Sequence, residues 1–213
     1  MRFHCRKVIL SIPSPLYRTI GWSPTLPESK TDIALATKLG FYAKSILVFR
    51  TPWWRQSKFC GLSQSFAGPV SVTRDTSDDA EGQYSLTCFI VGKTGQLWSE
   101  QPARVRKNLV LSQMVAIFGE QHRSDIYDVV DVVEQDWLQE EWSRGAPCPV
   151  TGVGVISRSG AELAKPFGHV HFVGTETADV WKGYMDGAVR SGERGAAEIV
   201  AALMGAGKVS PRL

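Results

Sequence analysis

Long apolar runs are missing from this sequence, and so is any cysteine pair at metal-binding spacing. No stretch reaches the roughly 18–20 apolar residues needed to span a bilayer, so no clear membrane anchor is expected. The basic start, Met1 to Lys7, is followed by a run that Pro13 and Pro15 cut too short for a signal-peptide core. Cys5, Cys60, Cys88 and Cys148 are scattered without C-x-x-C spacing, which argues against structural zinc and for reduced intracellular thiols. His169 and His171 alternate on one strand face without a third ligand, so no metal site is expected. One-sided charge is absent too: 24 basic against 21 acidic residues leave a net +3 spread along the chain, with nothing pointing to nucleic acid. The glycine signature of a dinucleotide-binding βαβ unit, G-x-G-x-x-G behind a strand, does not occur. Gly152-Val-Gly154 lacks a third glycine in place, and Gly205-Ala-Gly207 falls at the C-terminal end.

What is present is a globular pattern, long enough for one or two cores. Residues 6–12 form an apolar, β-branched run closed by Pro13, which reads as a buried strand. Residues 22–27 read as loop and 28–38 as a short amphipathic helix around Ile33, Leu35 and Ala36. Residues 39–49 read as a largely buried strand carrying Lys44. An unpaired ammonium inside such a strand is costly, so Lys44 either snorkels at a strand end or serves a functional cavity. Residues 56–100 read as antiparallel strands, including Tyr84–Val91 with Phe89. Residues 101–118 have helical spacing at Val105, Leu109, Val110, Met114, Ile117 and Phe118, with Gly119 as the stop. A strand over 128–133 follows, with a polar exit from Glu134 to Trp137.

The richest stretch runs from His169 to Gly195. It is an apolar strand, Val170 to Val173, then a polar loop at Gly174, Thr175, Glu176 and Thr177. A glycine-spaced helix follows, from Gly183 to about Leu203, with an apolar face at Met185, Ala188, Val189, Gly192, Ala196, Ile199, Val200 and Leu203. Strand, glycine loop and helix N-terminus is how α/β proteins present backbone N–H groups to a cofactor.

The residues filling that frame carry a resemblance. Gly174-Thr-Glu-Thr-Ala178, followed by Trp181-x-Gly-Tyr-Met185 and Ser191-Gly-Glu-Arg194, resembles the C-terminal flavin-binding segment of flavin-containing monoamine oxidases, fungal-type members among them. Leu39-Gly-x-x-x-Lys44, the Pro-Trp-Trp-Arg run ending at Arg55, and Asp136-Trp-x-x-Glu-Glu-Trp-Ser143 resemble further segments of those enzymes. The resemblance covers residues 6–204 but corresponds only to the C-terminal half of such an oxidase.

The resemblance implies a mixed α/β (α+β) fold, the C-terminal part of a two-domain flavin amine oxidase. A mixed-sheet substrate domain at 22–136 would interrupt FAD-binding segments at 1–21 and 137–205, with a tail at 206–213. It implies FAD as cofactor, and a small amine and O2 as reactants. It further implies a separate or missing N-terminal half for the ADP portion. Lys44 would hold a water near the flavin, and Tyr184 would form one wall of an aromatic cage. Phe89 would face the substrate and Trp137 the flavin, although plain core packing remains open for both. Gly174, Thr175, Glu176, Tyr184 and Met185 would contact the cofactor, Glu176 by accepting from a ribityl hydroxyl. Two departures matter. Ala146 stands where animal enzymes attach the flavin through cysteine. Cys148 lies two residues on, about 6.5 Å along an extended chain, so non-covalent FAD and an inert Cys148 are expected. Pro147 stands where the second cage aromatic belongs. The ending Pro211-Arg-Leu213 resembles a peroxisomal address. A non-catalytic fragment and a polyamine oxidase-like member are the alternatives.

Overall fold

The computed structural model describes residues 1–205; the Pro211-Arg-Leu213 ending lies outside the described residues. In chain order the elements are β1 (Val8–Leu10), α1 (Glu28–Ala36), β2 (Thr37–Lys38), β3 (Tyr42–Phe49), α2 (Trp53–Gln56), β4 (Ser63–Gln64), β5 (Val70–Asp75), β6 (Tyr84–Val91), α3 (Gly92–Ser99), α4 (Ala103–Phe118), α5 (Arg123–Tyr127), β7 (Asp131–Asp136), β8 (Val150–Thr151), α6 (Val155–Ser159), β9 (Val170–Phe172) and α7 (Met185–Gly205). They form two compact units, one of residues 1–39 with 147–213 and the other of residues 40–146. The division falls later than the 21/22 and 136/137 boundaries set out above. At the front end the reason is that α1 packs into the first unit, burying Lys30, Ile33 and Ala34. At the back end, the β7 exit stays bonded in the second unit through Trp137 N–H to the Tyr42 carbonyl, 3.1 Å. Among the described residues no helix is long and apolar enough to cross a membrane, and no cluster of three or more His, Cys, Asp or Glu could hold a metal.

The second unit is a five-stranded antiparallel sheet in the order β4-β5-β6-β3-β7, backed on one face by α4. β3 alternates strictly between buried and half-exposed positions. Ala43, Ser45, Leu47 and Phe49 face the core, while Tyr42, Lys44, Ile46 and Val48 face outward. This corrects the expectation of a largely buried strand: continuous hydrophobicity here reflects one packed face and one open apolar face. Two aromatic clamps close the core. Trp53 and Trp54 pack edge-on against Phe49, and Asp75 accepts from Trp54 Nε1 at 2.8 Å and Arg55 Nε at 2.6 Å.

Three further readings are corrected in this unit. Residues 92–99 are helix rather than strand, because Gly92 at φ 68 ends β6 and Gly95 lets Phe41 lie against α3. The 101–118 helix exists as α4, but its buried stripe is Val110, Leu111, Met114, Val115 and Phe118, with Val105 and Leu109 exposed. β7 starts at Asp131 and takes in Glu134 to Asp136, because β3 supplies ladder partners along that whole length.

In the first unit, β1 and β9 form a parallel pair, Val8 opposite Val170 and Leu10 opposite Phe172. β1 is not buried as expected: Val8 is 38% and Ile9 48% exposed, since among the described residues β9 alone pairs with it. The core beneath is Tyr17, Ala34 and Phe172, joined by Leu10, Trp22 and Phe167. α7 packs through Gly187, Ser191 and Gly195, its buried residues. The expected apolar stripe is thus displaced, with Met185, Val189 and Val200 exposed. Glycine and serine spaced four apart let the helix backbone approach the sheet, and larger apolar side chains cannot share that face.

Candidate active site

In the first unit the site is built on the end of β9. Val173 N–H still bonds the Leu10 carbonyl at 2.9 Å, and the chain then turns at Gly174, φ 109. A Cβ at Gly174 would meet the Ser11 carbonyl oxygen at 3.4 Å, so both conformation and space favour glycine. Gly174 N–H is held by Ser191 Oγ at 2.9 Å, and Thr177 N–H closes a single 3-10 turn onto the Gly174 carbonyl. Glu176 sits in that turn with its carboxylate already engaged. Buried Ser14 donates its N–H to one oxygen at 2.7 Å and its hydroxyl to the other at 2.6 Å. A carboxylate has about four acceptor positions, so two stay free for another donor. A cleft of about 360 Å³ lies beside it, lined in part by Ile156, Ala161, Glu176, Thr177 and Lys182.

The same turn is braced from below. Arg194 on α7 donates to the Phe172 carbonyl at 2.8 Å, Thr177 Oγ1 at 3.0 Å and Glu198 at 2.6 Å. Glu198 also pairs with buried His171 Nδ1 at 2.8 Å. His171 is thus a structural residue, while His169 is exposed. Lys30 lies over the Phe172 ring, 3.8 Å from its centroid, and donates to the carbonyls of Glu162 and Leu163.

Beyond the turn, Thr175 hydroxyl accepts from Gly183 N–H at 2.6 Å and donates to the Tyr184 carbonyl at 3.0 Å. Tyr184 is 66% exposed, and Met185 beside it opens α7. The first-turn N–H groups of that helix have no partner within it and carry its positive dipole end. Cys148 sits close to Gly183, 3.8 Å from where a Cβ would stand. Burial, and then Glu176, push its thiol above the ordinary value.

In the second unit, Lys44 and Phe89 are cross-strand partners on the open sheet face. The Lys44 ammonium lies 5.6 Å from the Phe89 ring centroid, and Tyr42 packs edge-on against the same ring at 6.0 Å. Gln135 faces Lys44 from β7. Trp137 is half-buried at the strand exit. The anticipated residues therefore fall into two clusters: Lys44 and Phe89 with Trp137 at the end of the same sheet, and Gly174, Thr175, Glu176, Tyr184 and Met185 around one loop. Sequence reasoning missed Ser14, and it quoted Ser191 and Arg194 in the Ser-Gly-Glu-Arg motif without giving them the role of holding that loop.

Residues 1–200 match the family model described as flavin containing amine oxidoreductase. The chain belongs to that family. It is 30% identical over 197 residues to the probable flavin-containing monoamine oxidase A of Dictyostelium discoideum, covering 92% of this chain and 42% of that protein. Among solved structures, a putrescine oxidase with putrescine bound superposes with TM-score 0.83 at 30% identity, over 92% of this chain and 42% of the other. Cyclohexylamine oxidase from Brevibacterium oxydans superposes with TM-score 0.84 at 30% identity, over 93% and 43%. The mixed α/β fold is thus that of flavin amine oxidases, and the chain spans about two fifths of the length of these relatives.

The family implies a flavin cofactor, and the loop residues fit one end of it. The leading N–H groups of α7, ahead of Ala188 whose N–H bonds the Tyr184 carbonyl at 3.2 Å, stand beside an exposed aromatic and suit the carbonyl-bearing edge of an isoalloxazine ring, and the free Glu176 lone pairs suit a sugar-like hydroxyl. The sequence carries no glycine loop for the ADP end.

Proposed function

We propose that this chain supplies the isoalloxazine-side and amine-side residues of an FAD-dependent amine oxidase. The overall reaction is amine plus O2 and water to aldehyde, ammonia and H2O2. The observation that carries this reading is the Gly174–Met185 loop, in which Thr175 and the Trp181 carbonyl hold an exposed tyrosine, Tyr184, at a helix N-terminus. FAD, when bound, supplies the two-electron acceptor. Gly174, Thr175, Glu176 and Met185 would hold it, with the first-turn N–H groups of α7 favouring negative charge at its ring edge. Trp137 would lie against it. Lys44, with three donors and an open face around it, would hold and orient a water. Tyr184 would offer its ring to the amine nitrogen, and Phe89 would line the substrate space.

Non-covalent FAD is supported by Ala146 at the attachment position and by a Cys148 thiol whose ionisation burial disfavours. The ADP portion would be held by a dinucleotide-binding half, on a separate chain or on a longer form of this one. By itself the 213-residue chain should retain FAD poorly, because nothing in its sequence grips the pyrophosphate. Peroxisomal residence, from Pro211-Arg-Leu213, belongs to the same reading and is checked by whether deleting the tripeptide redistributes the protein.

A diamine or polyamine substrate is the second reading, favoured by the likeness to the putrescine oxidase. Turnover of benzylamine against putrescine and spermine separates the two. Lys44→Met in the flavin-loaded protein should lower the rate of flavin reduction by amine at least tenfold with flavin content unchanged. An unaltered rate would remove Lys44 from the site.

A further inference from the structure

Among the described residues, Trp181 is one of three non-glycine residues with positive φ, at 57°, a costly backbone state for a bulky side chain. Its carbonyl explains why the state persists. It accepts from Tyr184 N–H at 3.0 Å and also presses against α7 at Gly187. A Cβ on Gly187 would lie 2.8 Å from the Trp181 carbonyl carbon and closer still to its oxygen, with the Val180 carbonyl oxygen at 3.1 Å. Only a residue without a side chain admits that carbonyl. On the other side of the same turn, Thr175 hydroxyl bridges Gly183 N–H and the Tyr184 carbonyl. Tyr184 is thereby pinned at both its N–H and its C=O. Its ring meets the Trp181 ring edge-on, centroids 5.9 Å apart at 85°. Both residues are more than half exposed within this chain, so packing against this chain's own core does not set the Tyr184 orientation. The backbone catch and the Trp181 ring set it.

We propose that Gly187 and Thr175 are positioning residues for Tyr184, Gly187 acting through the strained Trp181 backbone and Thr175 through Gly183 and the Tyr184 carbonyl, to fix where the amine meets its aromatic wall. On this view the Thr175 hydroxyl serves the loop, and the hold that Thr175 would have on the cofactor falls to its backbone. With proline at position 147 in place of a second aromatic wall, the amine orientation would depend on this one catch. The role given to Tyr184 rests on the amine-oxidase reading; the catch itself does not.

The test uses the full chain labelled with 5-fluorotryptophan, the Trp181 fluorine resonance being assigned by its loss in Trp181→Phe. Gly187→Ala should shift or broaden that resonance while the other tryptophan resonances stay in place. Thr175→Val should do the same, and Thr175→Ser, which keeps the hydroxyl, should restore it. In the flavin-loaded protein, Gly187→Ala and Thr175→Val should lower kcat/KM for amine roughly tenfold to a hundredfold, as displacements near 1 Å do, and Thr175→Ser should recover it. An unmoved Trp181 resonance in folded Gly187→Ala, or a Thr175→Ser variant behaving like Thr175→Val, would overturn the proposal. So would a displaced resonance with unchanged kcat/KM. If Gly187→Ala fails to fold, the Thr175 pair decides. Because the resonance is read without amine turnover, a protein that oxidises no amine would sink the amine-oxidase reading without touching the catch.

Discussion

Gly195→Ala tests how α7 is seated, and with it the placement of the whole cofactor loop. Gly195 is buried, and an added Cβ would overlap the Val173 Cγ1 methyl, with Val173 Cβ at 3.9 Å. Val173 is itself buried and tied through its N–H to Leu10, so its backbone cannot retreat without opening the β1–β9 pair. Alanine in a helix gains about 1 kcal/mol over glycine, while overpacking a tight contact costs about 1–3 kcal/mol. The net expectation is a loss of about 1 kcal/mol. Val173→Ala alone should cost about 2 kcal/mol from lost burial. In that background the obstructing methyl is gone, so Gly195→Ala should become stabilising by about 0.5–1 kcal/mol. The coupling between the two sites is then about 2 kcal/mol, typical of residues in direct contact. Urea unfolding of the four proteins, followed by circular dichroism, gives the cycle. A Gly195→Ala protein more stable than the parent in the unaltered background would refute the close seating of α7 on Val173.

Two further predictions concern titration. Burial lowers the Lys30 ammonium from 10.5 to about 8, with Glu162 opposing and Arg194 and Lys165 adding to the effect. The folded value lies below the unfolded one, so the unfolded chain binds more protons between those values and this contribution to stability rises with pH from about 8 to 10.5. Cys88 is the reverse case: burial raises its thiol from 9 to about 12, so the unfolded chain ionises first and stability falls above pH 9. Urea midpoints between pH 8 and pH 10 should therefore climb in Cys88→Ala and lose that climb when Lys30→Met is added; a flat profile in Cys88→Ala refutes the Lys30 assignment. For Cys148, the raised thiol should alkylate at neutral pH more slowly than exposed Cys5 or Cys60. Mass spectrometry after timed iodoacetamide labelling reads this, and a Cys148 as fast as Cys5 would remove the argument for an inert thiol.

The parts of this fold that were legible in sequence are those fixed by near neighbours. The strand, glycine turn and helix of residues 170–205 could be read because Gly174 stops β9 and α7 follows within a dozen residues. α4 could be read because Pro102 and Gly119 bracket it. What failed depended on distant neighbours. Periodicity found an apolar stripe on α7, but the face that packs is the glycine–serine face, because it is the close approach of another backbone that decides. α3 was misread because its two glycines argue against helix, whereas Gly95 is there to admit Phe41. The Ser14–Glu176 contact joins residues 162 apart, and no local pattern announces it. Lys44 shows the intermediate case. Its strand was legible, but which face was open became evident only from the alternation of β3 in the sheet.

The most direct test of the central claim is the visible spectrum of bound flavin before and after anaerobic addition of amine. It is recorded on the purified chain alone and on the chain supplied with a dinucleotide-binding half from a relative. The account predicts little flavin on the chain alone, and in the complemented protein a flavin band that benzylamine or putrescine bleaches and O2 restores with release of H2O2. Stoichiometric flavin on the chain alone would contradict the half-site view, and a complemented, flavin-bearing protein that no amine bleaches would contradict amine oxidation.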